Sequence, residues 1–288
     1  MNQKIAPIIH AKELLKLYQT KELLLVDARN GQNSKQDYQK KHLDTAIFVD
    51  LNSQLATIDS DFKNGGRHPL PKVEIFTQTI AKLGISPASH VVIYDDKNGS
   101  NAAARFWWML KAVGHEKVQV LNGGIQEAEK YNFPVSSKTE ITKQTELQKV
   151  KNWKWPIAKM EEVEKNSQNN FYRVIDVREN SRYRGKNEPI DLIAGHIPGS
   201  INIPFAENLD ENGLFLAPAI LKKKYEKVMG TIKPENIIIH CGSGVTACHT
   251  ILAIAYAGLD IPKLYVGSWS EWSRNQKTII NGNDYNFK

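Results

Sequence analysis

Short apolar runs alternate along the whole chain with longer stretches of helical spacing. Ile237, Ile238 and Ile239 are β-branched and uninterrupted, the pattern of a strand buried on both faces of a parallel sheet. Residues 245–257, directly after them, show helical spacing with many small side chains. The same reading predicts strands at 23–26, 46–49, 91–94 and 118–121, and again at 171–175, 201–203 and 263–266. Helices are expected at 11–19, at 71–83 with Pro71 in the first turn, at 101–113, near 157–164 and at 218–229. Strands that alternate with helices build parallel βαβ units.

The second half repeats the order of the first. The run ending at Asp95 falls opposite the run ending at Cys241, and Asp27 opposite Asp176, with a nearly constant offset. The chain therefore reads as a tandem duplication, an α/β protein in which each copy is a parallel sheet flanked by helices. The expected domains are 1–136, a polar lysine-rich linker at 137–155, and 156–288. With 288 residues and 41% hydrophobic content, two domains of this size can each bury an ordinary core.

Candidate chemistry concentrates after the triple isoleucine. Cys241 leaves the carboxyl end of that strand, the edge where ligands bind in open α/β sheets. Gly242 and Gly244 allow the backbone N–H groups of the turn, through Val245 and Thr246, to face one centre, and the following helix adds its positive end. Such a cradle binds an anion, and on Cys241 that means a thiolate or a persulfide. The alternative is a buried structural cysteine in a tight turn. Cys248, seven residues on, sits two helical turns away and is expected to pack in the core. In the first copy the matching position is Asp95, in Asp95-Asp96-Lys97-Asn98-Gly99-Ser100, so that copy is expected to be catalytically inactive.

The formal charge of +7 comes mainly from scattered lysines. No basic stripe with stacking aromatics accompanies it, so the field suits small anionic substrates rather than nucleic acid. Residues 1–10 carry no signal-peptide run and nothing downstream reads as a membrane span, which predicts a soluble, cytoplasmic protein. Two cysteines make no disulfide framework. No metal-ligand spacing or nucleotide-binding glycine fingerprint is present, so no cofactor is expected.

Cys241 to Ala247, Gly267-Ser268-Trp269-Ser270-Glu271-Trp272, Gly195-His196-Ile197-Pro198-Gly199-Ser200 and the paired Val26-Asp27-Ala28-Arg29 and Ile175-Asp176-Val177-Arg178 together resemble the rhodanese superfamily, in particular its two-domain 3-mercaptopyruvate sulfurtransferase type. The resemblance implies transfer of sulfane sulfur from a small anionic donor through a persulfide on Cys241, with release of pyruvate. The acceptor is then a thiol, thioredoxin or a small one, or cyanide. It further implies a site at the mouth of the second domain to which the first contributes side chains. Arg182 matches a substrate-carboxylate arginine, with Arg184 nearby, whereas the second binding arginine often found after Glu-Pro is Ile190 here. Ser243 and His68 match members of a proton relay, whose aspartate falls near Asp50 or Asn52. Asp176 is expected to brace the site, Trp269 to wall it and His196 to tie down a turn.

A cysteine-loop phosphatase would place an arginine where this chain has Ala247, and thiosulfate-type rhodaneses carry cations where it has Gly242 and Ser243. Thiosulfate as donor, or a weakly catalytic persulfide carrier, stays open as an alternative. A monomer or weak dimer is expected.

Overall fold

The computed structural model describes residues 5–18, 20 and 23–282. Contacts divide the chain into two units that exchange short segments: one comprises Met1–Ala56, Pro71–Trp155 and Leu209–Phe215, the other Thr57–Leu70, Pro156–Asn208 and Leu216–Lys288.

The first unit runs β1 (Ile8–Ile9), α1 (Ala11–Leu17), β2 (Leu23–Asp27), α2 (Ser34–Lys40), β3 (His42–Leu43), β4 (Ile47–Phe48), α3 (Leu51–Gln54), α4 (Val73–Lys82), β5 (His90–Tyr94), α5 (Ala102–Ala112), β6 (Val118–Leu121), α6 (Gly124–Lys130) and β7 (Val135–Ser136). Its sheet has the order β1-β6-β5-β2-β4 with every pair parallel, Val26 lying opposite both Ile93 and Ile47. β5 and β6 are apolar at almost every position because helices cover both faces. In α5 every residue except Lys111 is buried, which explains its lack of a polar stripe.

The second unit runs β8 (Ile157–Ala158), α7 (Met160–Asn166), β9 (Arg173–Asp176), α8 (Asn180–Tyr183), β10 (Ile201–Asn202), α9 (Pro218–Met229), β11 (Ile237–His240), α10 (Thr246–Tyr256), β12 (Lys263–Tyr265) and α11 (Ser268–Trp272). Its parallel sheet, β10-β9-β11-β12-β8, has the strand order of the first with each strand replaced by its repeat. β11 is therefore central, and the buried α10 follows it as α5 follows β5.

The repeat extends to individual hydrogen bonds. Arg29 grips Asp27 through Nε and Nη2 and donates to the Lys41 carbonyl at 2.5 Å; Arg178 grips Asp176 the same way and donates to the Gly195 carbonyl at 2.7 Å. His42 stacks on Tyr38 with its Nδ1 on that residue's carbonyl, and His196 does the same with Tyr183. His196 thus ties down a turn as expected.

Three local expectations change. Ile157 and Ala158 form an edge strand paired with Leu264 and Tyr265, and the helix starts only at Met160, because the outer edge of β12 takes the first two apolar residues as a partner. Pro71 lies outside α4, since Lys72 is extended and caps it. The lysine-rich 137–155 stretch is irregular but pinned within the first unit: Thr145 and Lys154 donate backbone N–H groups to Ala81 and Ala112, and Trp153 and Trp155 pack on Phe76 and Trp107.

Candidate active site

Cys241 leaves the central strand of the second unit, 2% exposed, and its backbone is fixed by the turn that follows β12. Its N–H donates to Ser268 Oγ at 3.1 Å, and that hydroxyl donates to the Tyr265 carbonyl at 2.8 Å. The carbonyls of Cys241 and Gly242 accept from Trp269 and Ser270 N–H at 3.0 and 2.8 Å. Gly244 has φ +73° and sits so close to Val266 that a Cβ would lie 2.5 Å from its carbonyl oxygen, so the loop can only turn here on glycine. The N-terminus of α10, an 11-residue helix, begins at Thr246 and aims its positive end at the loop. Val245, at its N-cap, is buried and Thr246 half-buried. Cys248 is buried in the first turn of α10 and donates its thiol to the Gly244 carbonyl at 3.2 Å, a core role.

The strap 57–70, from the first half of the sequence, belongs to this unit and lies against α11. Gly65 N–H donates to Glu271 Oε1 at 2.7 Å and Arg67 N–H to Ser270 Oγ at 3.0 Å. That anchorage brings His68 Nδ1 to 2.8 Å from Ser243 Oγ, so the expected pair is formed. It also brings in Arg67, a residue that sequence reasoning passed over.

Gly242 has no positive φ. A Cβ placed on it would lie 3.2 Å from Arg67 Nη2, and 3.5 and 3.6 Å from Nη2 and Nη1 of Arg182. Two guanidiniums therefore border the residue next to the thiol. Arg182, on α8, forks through Nε and Nη2 onto Glu188 at 2.7–3.1 Å and touches Asp191 at 3.2 Å. Asp191 also pairs with Arg67 and with Arg274. Burial pulls the Arg182 guanidinium down, but Glu188 and Asp191 outweigh it and its pKa is raised. Burial would raise Glu188, yet Arg182 and the N–H groups of Asp191 and Ile190 hold it below its ordinary value.

Asp176 is a brace. Fully buried, it would be pushed up by desolvation, but the charge and hydrogen bonds of Arg178 hold its carboxyl below the usual carboxylate range. Arg178 passes the restraint on: its Nη1 reaches Glu188 at 3.2 Å, and its guanidinium lies 4.5 Å over the Trp269 ring. Trp269 is wholly buried and donates Nε1–H to the Ile193 carbonyl, so it belongs to the core beneath the loop. Arg184 is exposed at the C-cap of α8. Asp50 caps α3 in the first unit, accepting from Ser53 N–H and Oγ–H at 2.7 Å.

The loop after β5 shows what a cradle of this type holds. The buried Asp95 carboxylate accepts from the N–H groups of Lys97, Gly99, Asn101 and Ala103 at 2.8–3.3 Å. Burial pushes this carboxyl up and the four amides oppose it. In the first copy the converging amides are occupied by an anion from the chain itself.

The rhodanese-like domain family matches residues 10–130 and 159–275. The chain is 36% identical over 246 residues to the 3-mercaptopyruvate sulfurtransferase of Mus musculus, covering 84% of this chain and 80% of that one. It is 35% identical over 245 residues to the thiosulfate sulfurtransferase of Rattus norvegicus, with the same coverage. Among solved structures, the 3-mercaptopyruvate sulfurtransferase from Leishmania major superposes with a TM-score of 0.80 at 26% identity, over 92% of this chain and 74% of that one. Sequence repeat, twin sheets and shared loop chemistry thus lead to one conclusion: the chain belongs to the rhodanese family, as a tandem of two rhodanese-like domains similar to the 3-mercaptopyruvate sulfurtransferases.

Proposed function

We propose that this chain is a sulfurtransferase that takes sulfane sulfur from 3-mercaptopyruvate and passes it, through a persulfide on Cys241, to a thiol acceptor or cyanide. The observation that carries the reading is the convergence at one loop of the thiol, the Ser243–His68 pair and the Arg182 guanidinium beside Gly242. Thiolate Cys241 attacks the donor sulfur, the C–S bond breaks, and its electron pair passes to carbon as the pyruvate enolate. The proton of the donor thiol ends on that carbon, leaving Cys–S–S⁻ and pyruvate. Ser243 and His68 offer the path for it. Loop amides and the α10 N-terminus stabilise the persulfide anion. An acceptor thiolate, from thioredoxin or a small thiol, then attacks the outer sulfur, and Cys241 leaves as thiolate.

The first unit, with Asp95 in place of the thiol, has no part in sulfur transfer of its own. Both cysteines are free, and a reducing compartment such as the cytoplasm suits a chemistry that consumes a thiolate. No helix among the described residues is long and apolar enough to cross a membrane.

Mass spectrometry after exposure to mercaptopyruvate should find one added sulfur on the peptide holding Cys241, absent in Cys241→Ser. An unmodified Cys241 peptide in turning-over enzyme would refute the mechanism. Thiosulfate is the competing donor, favoured by Ile190 standing after Glu188-Pro189 and by the thiosulfate sulfurtransferases among the relatives. Higher specific activity with thiosulfate than with mercaptopyruvate would establish it.

A further inference from the structure

We propose that the exposed aliphatic run Ile190, Leu192 and Ile193 is the docking surface on which a protein thiol acceptor sits while it takes sulfur from Cys241. The proposal rests on the sulfur-transfer reading above and names the surface that its protein acceptor uses.

The loop 185–195 is inside out. Its two carboxylates, Glu188 and Asp191, have side chains 3% and 0% exposed, whereas Ile190, Leu192 and Ile193 are 54%, 65% and 42% exposed, with Pro189 exposed beside them. Burying charge while showing hydrocarbon to water is unfavourable on both counts, and it marks a surface kept for contact. The loop is also held stiffly. Glu188 is gripped by Arg178 and Arg182, Asp191 by Arg67, Arg182 and Arg274, and the Ile193 carbonyl accepts the Trp269 indole N–H at 2.9 Å. The same groups join it to the thiol: Arg182 borders Gly242, and Trp269 donates its backbone N–H to the Cys241 carbonyl. One side chain thus separates the aliphatic run from the loop that carries the sulfur.

Size and charge select the occupant. The three side chains offer about 300 Å² of apolar surface, the scale of a functional patch on a monomer and well short of the about 800 Å² per partner of a stable complex. That suits an acceptor that has to leave after each turnover. Arg184 and Lys186, both exposed, flank the start of the loop, and the chain carries +7 overall. A second copy would bring the same cations onto this face, whereas an acceptor with acidic groups around an apolar, thiol-bearing surface complements both features. In the docked pair the acceptor sulfur bonds the outer sulfur of the persulfide, the bond to Cys241 breaks with its electron pair on Cys241, and the acceptor's proton stays on the transferred sulfur.

Single-turnover transfer separates docking from chemistry. Cys241 is loaded from inorganic disulfide, HS–S⁻, whose sulfane sulfur goes to the thiolate and whose other sulfur leaves as hydrosulfide, and the persulfide is then mixed with reduced thioredoxin or with dithiothreitol. Leu192→Glu should lower the second-order rate to thioredoxin by about tenfold, the scale of one buried aliphatic side chain, with the dithiothreitol rate unchanged within about twofold. Leu192→Ala should fall less. Ile220→Glu, at a similarly exposed isoleucine on α9, should leave both rates alone. A thioredoxin rate unmoved in Leu192→Glu would overturn the proposal, as would a matching fall in Ile220→Glu. Equal falls for the two acceptors would overturn it too, because they report a disturbed loop. A wild-type protein that sediments as a dimer and dissociates in Leu192→Glu would give the patch to a second copy instead. A wild-type persulfide taken by dithiothreitol but not by thioredoxin would overturn the docking surface and leave the proposed function standing, whereas a thiol that loads from inorganic disulfide but not from mercaptopyruvate would sink the donor reading alone.

Discussion

Ser268 makes a quantitative test of how the Cys241 loop is held. It is fully buried with φ +54°, in the left-handed region where a side chain is strained by about 1–2 kcal/mol. The repeat shows the unstrained solution: Ile125 N–H bonds the Asp95 carbonyl as Trp269 N–H bonds that of Cys241, which makes Gly124, φ +63°, the counterpart of Ser268. A serine stands in the second copy because its Oγ receives the Cys241 N–H and passes a hydrogen bond to Tyr265. Ser268→Ala keeps the strain and leaves that buried N–H unpaired, a cost of about 1–3 kcal/mol. Ser268→Gly loses the same bonds but releases the strain, less about 0.5–1 kcal/mol for the greater freedom of unfolded glycine. The glycine variant should therefore be the more stable of the two by roughly 0.5–1 kcal/mol, and both should fall below wild type. Urea denaturation followed by circular dichroism measures the order, and the iodoacetamide rate of Cys241 reports the loop itself. An alanine variant as stable as wild type would refute the hydrogen-bond argument, and a glycine variant less stable than alanine would refute the strain argument.

Three further outcomes follow from the buried charges. Arg178→Leu strands Asp176 without its partner in a fully buried position and should cost about 3–5 kcal/mol in thermal or chemical denaturation; a loss below about 1 kcal/mol would show the pair to be dispensable. His115, His196 and His240 are all held below the ordinary histidine value by burial, so each is neutral when folded and must be protonated against that burial in acid. Their contribution is full above pH 6.5 and is lost as pH falls below it, and Asp176 and Glu188, lowered in the fold, add a second loss below their ordinary 3.8 and 4.5. Tm should thus decline from pH 7 to 5, less steeply in His196→Gln; a Tm flat over that range would contradict the burial assignment. Asp95→Asn replaces an acceptor of four amides by a group that is half donor, and should destabilise the protein by about 2–3 kcal/mol, whereas a neutral effect would mean the amides do not need the anion.

What the sequence made legible was what periodicity and repetition encode. The unbroken β runs located the central strands, the near-constant offset revealed two copies, and glycines around Cys241 marked the loop. Ile157 and Ala158 gave no such signal: two residues are too few to show a period, and their pairing is decided by the open edge of β12. Trp153 and Trp155 were the one cue that the lysine-rich stretch is anchored, since two indoles bury more surface than a solvated linker has reason to carry. Arg67 was invisible for a different reason. Nothing in 57–70 repeats, and its partners lie 124 and 203 residues away in Asp191 and Ser270. A Gly-Gly-Arg-His run beside a predicted relay histidine was the only available hint.

The two loops, compared, explain why the thiol belongs where it is. In the first copy amides converge on a carboxylate that is always present, and the loop is folded around a permanent anion. In the second the same strand end carries a sulfur, a group whose anion moves outward by one sulfur and back with the reaction. If the second loop is built as its repeat is, its folded geometry favours the charged forms of that sulfur by the energy that Asp95 supplies permanently in the first. The bracing then has to come from elsewhere, and the structure shows it doing so: Ser268, Trp269 and Ser270 fix the loop from one side and the strap with His68 from the other. A loop held from outside can exchange thiolate for persulfide without refolding, which a loop held only by its own anion could not.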